Sequence, residues 1–450
     1  MQGKTLIQDF TTGSIPKQLF RFAAPLFLSS LLQVVYNMVD MIVVGHVMGQ
    51  VGLSAVSVGG DVSNFLTFIA MGFSSAGQVI ISQYIGAGRQ QKVGRFIATM
   101  FTALTVIAVV LSVVCLIFRQ PILNLMNTPP EAMSEALDYA TICVAGMVFI
   151  YGYNIVSAVL RGIGDSKHPF VFISIAAVLN IALDLLFVMG MDMGSGGAAL
   201  ATVISQCVSF LSCGVFLIRQ KHRLGFDIRF ADFVHIDREM LADLTKLGIP
   251  MAIKSASIHF SKLFVNSWIN SYGVAVSAFA GIANKLSSIS NLFSNATNTA
   301  GSSMVGQNIG AKTYDRVPKI ALTIAAAMFS VAGILSLAIW LFPETVFRLF
   351  TSEADVLKVG LEFVPIAVLL FFGSAARSPA NAVLNGSGNY KINFATAIFD
   401  GIIMRIGLSV LFGLALDMKY LGFWLGDALA GFTPLVIGIV FYWSGKWKKP

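Results

Sequence analysis

The chain has 450 residues, of which 56% are hydrophobic and only 12% charged, and its mean hydropathy is +0.79. A soluble domain carries about 25% charged residues, so this balance excludes a soluble enzyme or binding module and indicates an integral membrane protein. The net charge of +8 suggests a nucleic-acid partner at first, but most of the Lys and Arg lie in the connections between apolar stretches and no nucleic acid is expected.

Twelve stretches approach the ~20 apolar residues that cross a bilayer: 19–46, 54–80, 93–118, 135–160, 168–190, 197–218, 245–270, 277–305, 317–342, 358–382, 392–413 and 420–443. The first eighteen residues are polar and lack the charged start, apolar core and cleavage site of a signal peptide. Span 1 contains "VVYNMVDMIVVG", an apolar run holding one acid, Asp40. An ionised side chain at the bilayer centre costs at least about 2.5 to 3.5 kcal/mol, so such acids are rare and usually functional. Pro25, earlier in the same span, leaves a backbone carbonyl unpaired and favours a bend. Asp61, near the start of span 2, reads as a surface or capping acid.

Spans 4 to 6 add polar groups at matching depth. Asp40 lies 19 residues beyond Arg21, about 28 Å along a helix, and Asp184 in span 5 lies 17 beyond Lys167, about 25 Å. Asn180 precedes Asp184 by four residues and shares its helix face, and Thr202 enters span 6 five residues after Gly197. Asn154 in span 4 stands only about 10 Å above Arg161 and fits this level less well. Two carboxylates in one dry site cannot both stay ionised cheaply. The group should therefore bind protons, or a sodium ion given the neutral oxygens of Asn180 and Thr202. Either ion can be driven, because one charge crossing 100 mV is worth about 2.3 kcal/mol.

Residues 219–246 form a basic, polar linker. Span 7 repeats the early proline with Pro250 and carries Lys254 and Lys262; Arg377 lies in span 10 and Arg405 in span 11. Cys115, Cys143, Cys207 and Cys213 fall in spans without a CxxC spacing, and the five histidines are scattered singly. Neither a disulfide framework nor a zinc site is expected. No GxxxxGK[ST] phosphate loop is present, so no organic cofactor and no ATP-driven step is expected, only H⁺ or Na⁺ as a coupling ion. No nucleophile–base or metal constellation of an enzyme is found.

The chain repeats itself. "IGAGRQQKVGR" at 85 returns as "IGAKTYDRVPK" at 309, and "LRGIGDSK" at 160 returns as "LNGSGNYK" at 384, both displaced by 224 residues. Near the ends the match drifts by one, with Pro25 answering Pro250 and Gly197 answering Gly422. The fold class is therefore all-α integral membrane, with twelve helices in two pseudo-symmetric six-helix lobes: 1–218, the linker 219–246, and 247–450. Because six is even, both lobes enter from one side and the substrate site is expected between them. Pro25 and Pro250 are the candidate hinges for a rocking motion. By the same offsets Lys262 answers Asn37, Arg377 answers Tyr153 and Arg405 answers Ile181, which gives the acidic cluster a basic counterpart.

With the N-terminus inside, the tails and even loops hold Lys4, Lys17, Arg21, Arg89, Lys92, Arg95, Arg161, Lys167, the basic linker, Lys312, Arg316, Lys319, Lys391, Lys446, Lys448 and Lys449. The odd loops hold only Arg119, Arg348, Lys358 and Lys419. This asymmetry places both termini in the cytoplasm, in the cell membrane.

"PLFLSSLLQVVYNMVDMIVVG", "SQYIGAGR", "LRGIGDSKHP" and "GAALATVISQ" resemble the multidrug and toxic compound extrusion (MATE) transporters over the whole chain. The resemblance implies a twelve-helix MATE-type fold, expected as a monomer, exporting organic compounds in exchange for H⁺ or Na⁺. It implies amphipathic cations as cargo. Its DinF-type branch places an Asp in span 1, an Asn in span 4, an Asn and Asp four apart in span 5 and a Thr in span 6, matching Asp40, Asn154, Asn180, Asp184 and Thr202. Ala198 matches the position that offers a backbone carbonyl to the ion. Tyr36, Asn37, Phe65, Phe149 and Tyr153 are the candidate cargo contacts, with Lys262, Arg377 and Arg405 beside them. The basic set has three readings, namely packing or snorkelling to lipid head groups, a cross-lobe Lys262–Asp40 pair, and anionic or zwitterionic cargo. A lipid-linked oligosaccharide flippase of the same superfamily is the alternative function.

Overall fold

The computed structural model describes residues 5–227 and 229–448; Lys4 and Lys449, counted above on the basic side, lie outside the described residues. Among the described residues the chain is helical, without strands. The first helical stretch, Ile15–Gly86, is broken at Gly49 by a left-handed turn, which divides it into α1 (15–48) and α2 (50–86). Then follow α3 (Gln90–Ile117), α4 (Pro130–Ala145 with Met147–Gly162, bent by 46°), α5 (Lys167–Gly190) and α6 (Gly194–Arg219). The second series is α7 (Arg238–Asn270), α8 (Val274–Gly310), α9 (Arg316–Leu341), α10 (Ala354–Gly386), α11 (Tyr390–Ala415) and α12 (Lys419–Trp443).

Eight stretches, counting 15–86 once, are long and apolar enough to cross a membrane, and bent α4 makes a ninth. Dividing 15–86 and adding the more polar α7 and α8 completes the twelve expected from the apolar pattern. α3 shows why these helices suit lipid: Val106, Val109, Val110, Val113 and Ile117 form one exposed apolar stripe at helical spacing.

The backbone carries the duplication as clearly as the side chains do. Gly49 and Gly273 both take positive φ (60° and 118°) where the first helix of each series turns into the second, a conformation glycine adopts without a Cβ clash. Gly88 pairs with Lys312 and Gly164 with Gly388, again 224 residues apart and all at positive φ. Asp192 pairs with Asp417 and Gly194 with Lys419, now 225 apart. The extra residue has a physical origin. α5 contains one π-turn, Leu185–Gly190, whereas α11 contains two, Phe399–Met404 and Leu411–Ala415. A π-turn accommodates one residue more than the α-helix around it, so Phe399–Met404 moves the register from 224 to 225.

Lys312 is a side-chain-bearing residue held at φ 61° where its counterpart is glycine. The left-handed conformation costs such a residue about 1 to 2 kcal/mol, part of which glycine returns as unfolded-chain entropy. Lys312→Gly is therefore expected to raise stability by up to about 1 kcal/mol, read as an upward shift of the melting midpoint in detergent.

Two compact units result. The first runs up to Asp9 and continues over Ala24–Gly248; the second comprises Phe10–Ala23 and Ile249–Pro450. This division differs from the lobe boundaries expected above at both ends, for reasons visible in hydrogen bonds. Leu6 N–H donates to Arg223 O and Gln8 N–H to Ile163 O within the first unit. In the second, Phe10 N–H donates to Gln307 Oε1, and Asn308 Nδ2 donates to Phe10 O. The linker belongs to the first unit: Thr102 on α3 donates to Phe233 O, and Arg95 pairs with Asp237 at 3.5 Å. Asp237 then caps α7 by accepting from Glu239 and Met240 N–H, so this helix starts seven residues before the apolar stretch at 245.

Each unit has its own core. In the first, Val43 and Val44 of α1 pack with Tyr139 and Cys143 of α4, Val188 of α5 and Ala198 of α6. In the second, Phe279, Phe347, Phe363 and Trp424 form an edge-to-face aromatic cluster with ring centroids 4.9 to 5.7 Å apart.

Candidate functional site

Four of the residues singled out by depth and spacing are brought together inside the first unit. Val44 and Val188 share the core cluster just described, and each lies one helical turn beyond an acid, Asp40 on α1 and Asp184 on α5. The two carboxylates are close enough to interact electrostatically, and Tyr139 lies in the field of both. Asp184 is fully buried, Asn180 is 2% exposed and Asp40 8%. Asn180 Nδ2 donates to Thr202 Oγ1 at 3.5 Å, joining α5 to α6. Asp184 is the last residue before the π-turn of α5, and single π-turns inside α-helices are frequent at functional sites.

The hydrogen-bond inventory then decides what the cluster can bind. Asp40 Oδ1, both oxygens of Asp184 and Asn180 Oδ1 are buried with no hydrogen-bond partner among the described residues. Orphaned buried polar groups are rare because each forfeits its hydration without replacement. All four are acceptors, so the ligand they suit is a donor or a cation: a proton, or a small ion with oxygen ligands. Among the described residues no group of three or more His, Cys, Asp or Glu has the arrangement of a metal site.

The remaining sequence candidates are placed less uniformly. Ala198 is fully buried in the same core cluster as Val44 and Val188. Asn154 is half-buried and donates its amide to Ile150 O on its own helix at 2.8 Å. Tyr36 lies beside Asp40 and Gln206; Asn37 and Phe65 are exposed, and Phe149 is half-buried. Tyr153 is built into the packing of Ile173, Ala176 and Phe210, its hydroxyl donating to Pro169 O. Asp61 is exposed. Helix continues through Pro25 and Pro250. Tyr139, Cys143 and Gln206 were not anticipated; for Gln206 the signal was present, four residues past Thr202 on the same helix face.

The second unit holds what the sequence reading missed. Arg377 donates from Nη2 to Asp400 Oδ1 at 2.8 Å, and Arg405 Nη2 lies 3.6 Å from the same oxygen. Arg405 Nη1 donates to Asp427 Oδ1. Lys254 does not snorkel, as one reading had it: it is 8% exposed, and its Nζ donates to Asn381 Oδ1 at 2.6 Å. The register shift explains the layout. Past Phe399–Met404 the offset is 225, so Arg405 answers Asn180 rather than Ile181, and Asp427 answers Thr202. An amide–hydroxyl contact in one unit is thus a guanidinium–carboxylate pair in the other. Ser261 on α7 donates to the Gly401 carbonyl inside that π-turn, tying the turn to its neighbour.

Comparisons with known proteins follow the same division. The MatE family model matches residues 25–186 and again 250–411, one copy in each unit. The chain is similar to "Probable multidrug resistance protein YoeA" of Bacillus subtilis, 31% identical over 456 residues, covering 100% of this chain and 97% of that protein. Among solved structures, an outward-facing multidrug resistance MATE family transporter of the MOP superfamily superposes with a TM-score of 0.89 at 23% identity, covering 98% of each chain. A MOP superfamily transporter from Pyrococcus furiosus, described as having a binding pocket of reverse polarity, superposes with a TM-score of 0.87 at 22% identity, again over 98% of each.

Proposed function

This chain belongs to the MatE family of multidrug efflux transporters, and from that premise we propose that it is a secondary antiporter exporting small organic compounds in exchange for H⁺ or Na⁺. It is a multi-pass membrane transporter and not an enzyme. The family match does not favour the flippase alternative. In the reading proposed here the coupling ion is held by Asp40, Asn180, Asp184 and Thr202, with Asn154 and the Ala198 carbonyl as further ligands, and no organic cofactor takes part. The observation that carries it is the set of four buried, partnerless acceptor oxygens in the first unit.

The chemistry follows from those oxygens. Two interacting carboxylates in a dry site stabilise an added positive charge strongly and resist a second uncompensated negative one. A cation taken up on the side of high electrochemical potential and released on the other shifts the protein between two access states. To carry that equilibrium nearly to completion it must prefer one state by about 5.5 kcal/mol. The lysine and arginine asymmetry supports a cell-membrane location with both termini cytoplasmic, and the monomer is taken as the working unit. Amphipathic cations are proposed as the cargo, as the family resemblance implies, with Tyr36, Asn37, Phe65, Phe149 and Tyr153 as contacts.

The test is export from proteoliposomes of the purified chain, with a pH gradient and a sodium gradient imposed separately. One gradient is expected to drive accumulation of a cationic dye on the opposite side, and dissipating it is expected to stop accumulation. Export that needs ATP, or that proceeds equally with neither gradient, sinks the proposal.

A further inference from the structure

The two copies of the repeat differ where α4 and α6, or α10 and α12, begin. With a displacement of 224 residues before Phe399 and 225 after it, Asp138 answers Glu362, Ser195 answers Tyr420 and Gly196 answers Leu421. In the second copy the Tyr420 hydroxyl donates to Glu362 Oε2, and its ring packs edge-on against Tyr272 and Trp424. The first copy has a serine and a glycine in place of those two large side chains. Ser195 is spent elsewhere, its N–H and hydroxyl donating to Glu135 Oε2 at 3.0 and 2.7 Å. Asp138 therefore lacks the donor that its counterpart has: it is exposed, and among the described residues no hydrogen bond or ion pair reaches it.

The side chains missing from the first copy leave an open cavity of about 330 Å³, lined by Arg119, Ser134, Asp138, Thr141, Met193 and Gly196. That volume falls within the ~300 to 1,000 Å³ of small-molecule pockets. It holds one cation and one acid that do not pair, since Arg119 Nη1 donates instead to Thr141 Oγ1 at 3.1 Å. Thr141 and Asp138 are three residues apart on α4 and neighbours on one face, with Cβ atoms about 5 to 6 Å apart. A fixed positive and a fixed negative group one helical turn apart are complementary to a zwitterion with a short spacer, not to a simple anion or cation. Ile117 and Phe118, 68% and 54% exposed, bring the apolar outer surface of α3 up to Arg119. The cavity thus lies at the end of a membrane span, at the level of lipid head groups.

We propose that this cavity binds the head group of a phosphatidylethanolamine-type lipid, a phosphate ester that carries a primary ammonium. Arg119 and the hydroxyls of Ser134 and Thr141 donate to the phosphate oxygens. Asp138 accepts from the ammonium, as Glu362 accepts from Tyr420 in the other copy. Leu137, Ile142 and Met193 wall the side toward the glycerol. The site makes no use of the antiporter reading.

The test is native mass spectrometry of the full chain released from micelles containing equal amounts of phosphatidylethanolamine, phosphatidylglycerol and phosphatidylcholine. Phosphatidylethanolamine is expected to be retained at least tenfold over the other two, because phosphatidylglycerol has no ammonium and phosphatidylcholine no N–H for Asp138. Asp138→Asn and Arg119→Gln are each expected to lower that retention at least tenfold, and Asp138→Glu to keep it. Equal retention of the three lipids, or wild-type retention by Asp138→Asn, overturns the proposal. A second route leaves both charges in place. A Cβ at Gly196 would stand 3.5 Å from Ile142 Cδ1 and 3.9 Å from Asp138 Cβ, so Gly196→Leu, which copies Leu421, is expected to fill the cavity and expel the lipid; undiminished retention there is equally decisive against it. Soluble phosphoethanolamine separates the two sources of this chemistry: failure to displace the lipid supports a lipid occupant, and displacement at equal concentration overturns it.

Discussion

Asp184→Asn is expected to abolish gradient-driven export while leaving the protein folded. The acid is fully buried on α5, and both of its oxygens lack partners, so an amide of the same shape fits without repacking. What the substitution removes is the capacity to exchange one charge with the medium. One ion exchanged per dye molecule lets the dye ratio approach the imposed ion ratio, so a hundredfold ion gradient, worth about 2.8 kcal/mol, supports a dye ratio of about 100. In proteoliposomes the steady dye ratio is therefore expected to fall from that order to about one. Stability should move the other way: one of two interacting carboxylates becomes neutral, and its new amide can donate toward Asp40. A gain of about 1 kcal/mol, the worth of one buried hydrogen bond, is expected in thermal unfolding. Undiminished dye accumulation by the variant would remove Asp184 from the coupling site.

The second large effect lies in the other unit. Asp400→Ala is expected to destabilise the protein by about 3 to 5 kcal/mol, the cost of leaving a buried charge uncompensated. Asp400 is fully buried and holds both Arg377 and Arg405, so its loss leaves Arg377 without an acid beside an Arg405 that retains only Asp427. The double variant Asp400→Ala/Arg377→Met should recover most of that loss, because Arg405 keeps Asp427 and the partner left without an acid is gone. Unfolding midpoints of the wild type, both single variants and the double variant form a cycle that isolates the pair. An unchanged midpoint for Asp400→Ala would show that the ion network contributes nothing to holding α10, α11 and α12 together.

The membrane class, the number of helices and the duplication were legible in the amino acids, because each rests on a regularity that survives any tertiary arrangement. Apolar stretches of bilayer length recur, and two motif pairs share one displacement. The buried polar cluster was legible too, since Asp40, Asn180, Asp184 and Thr202 fall at one depth by helical rise alone, and Asn180 and Asp184 share a face by their spacing of four. Side-chain direction was not. Asn154 lies near that depth but donates to its own helix, and Tyr153 is spent on core packing.

The ion network shows the opposite case. Arg377 and Arg405 stood out in the sequence as unexplained cations, while Asp400 and Asp427 went unnoticed, because their partners sit on other helices or across a π-turn. A count of 3.6 residues per turn cannot register the residue inserted at Phe399–Met404, and so it matched Arg405 to Ile181 instead of Asn180.

Composition and repetition determined that this chain is a duplicated bundle of membrane helices with acids at a common depth in one half and cations in the other. Only the tertiary structure decided which of those charges are answered inside the protein. Pairing depends on distances between helices and on local backbone irregularities, and neither leaves a period in the sequence. In the first unit the oxygens remain without donors among the described residues; in the second, Arg377, Arg405 and Lys254 have found acids or an amide.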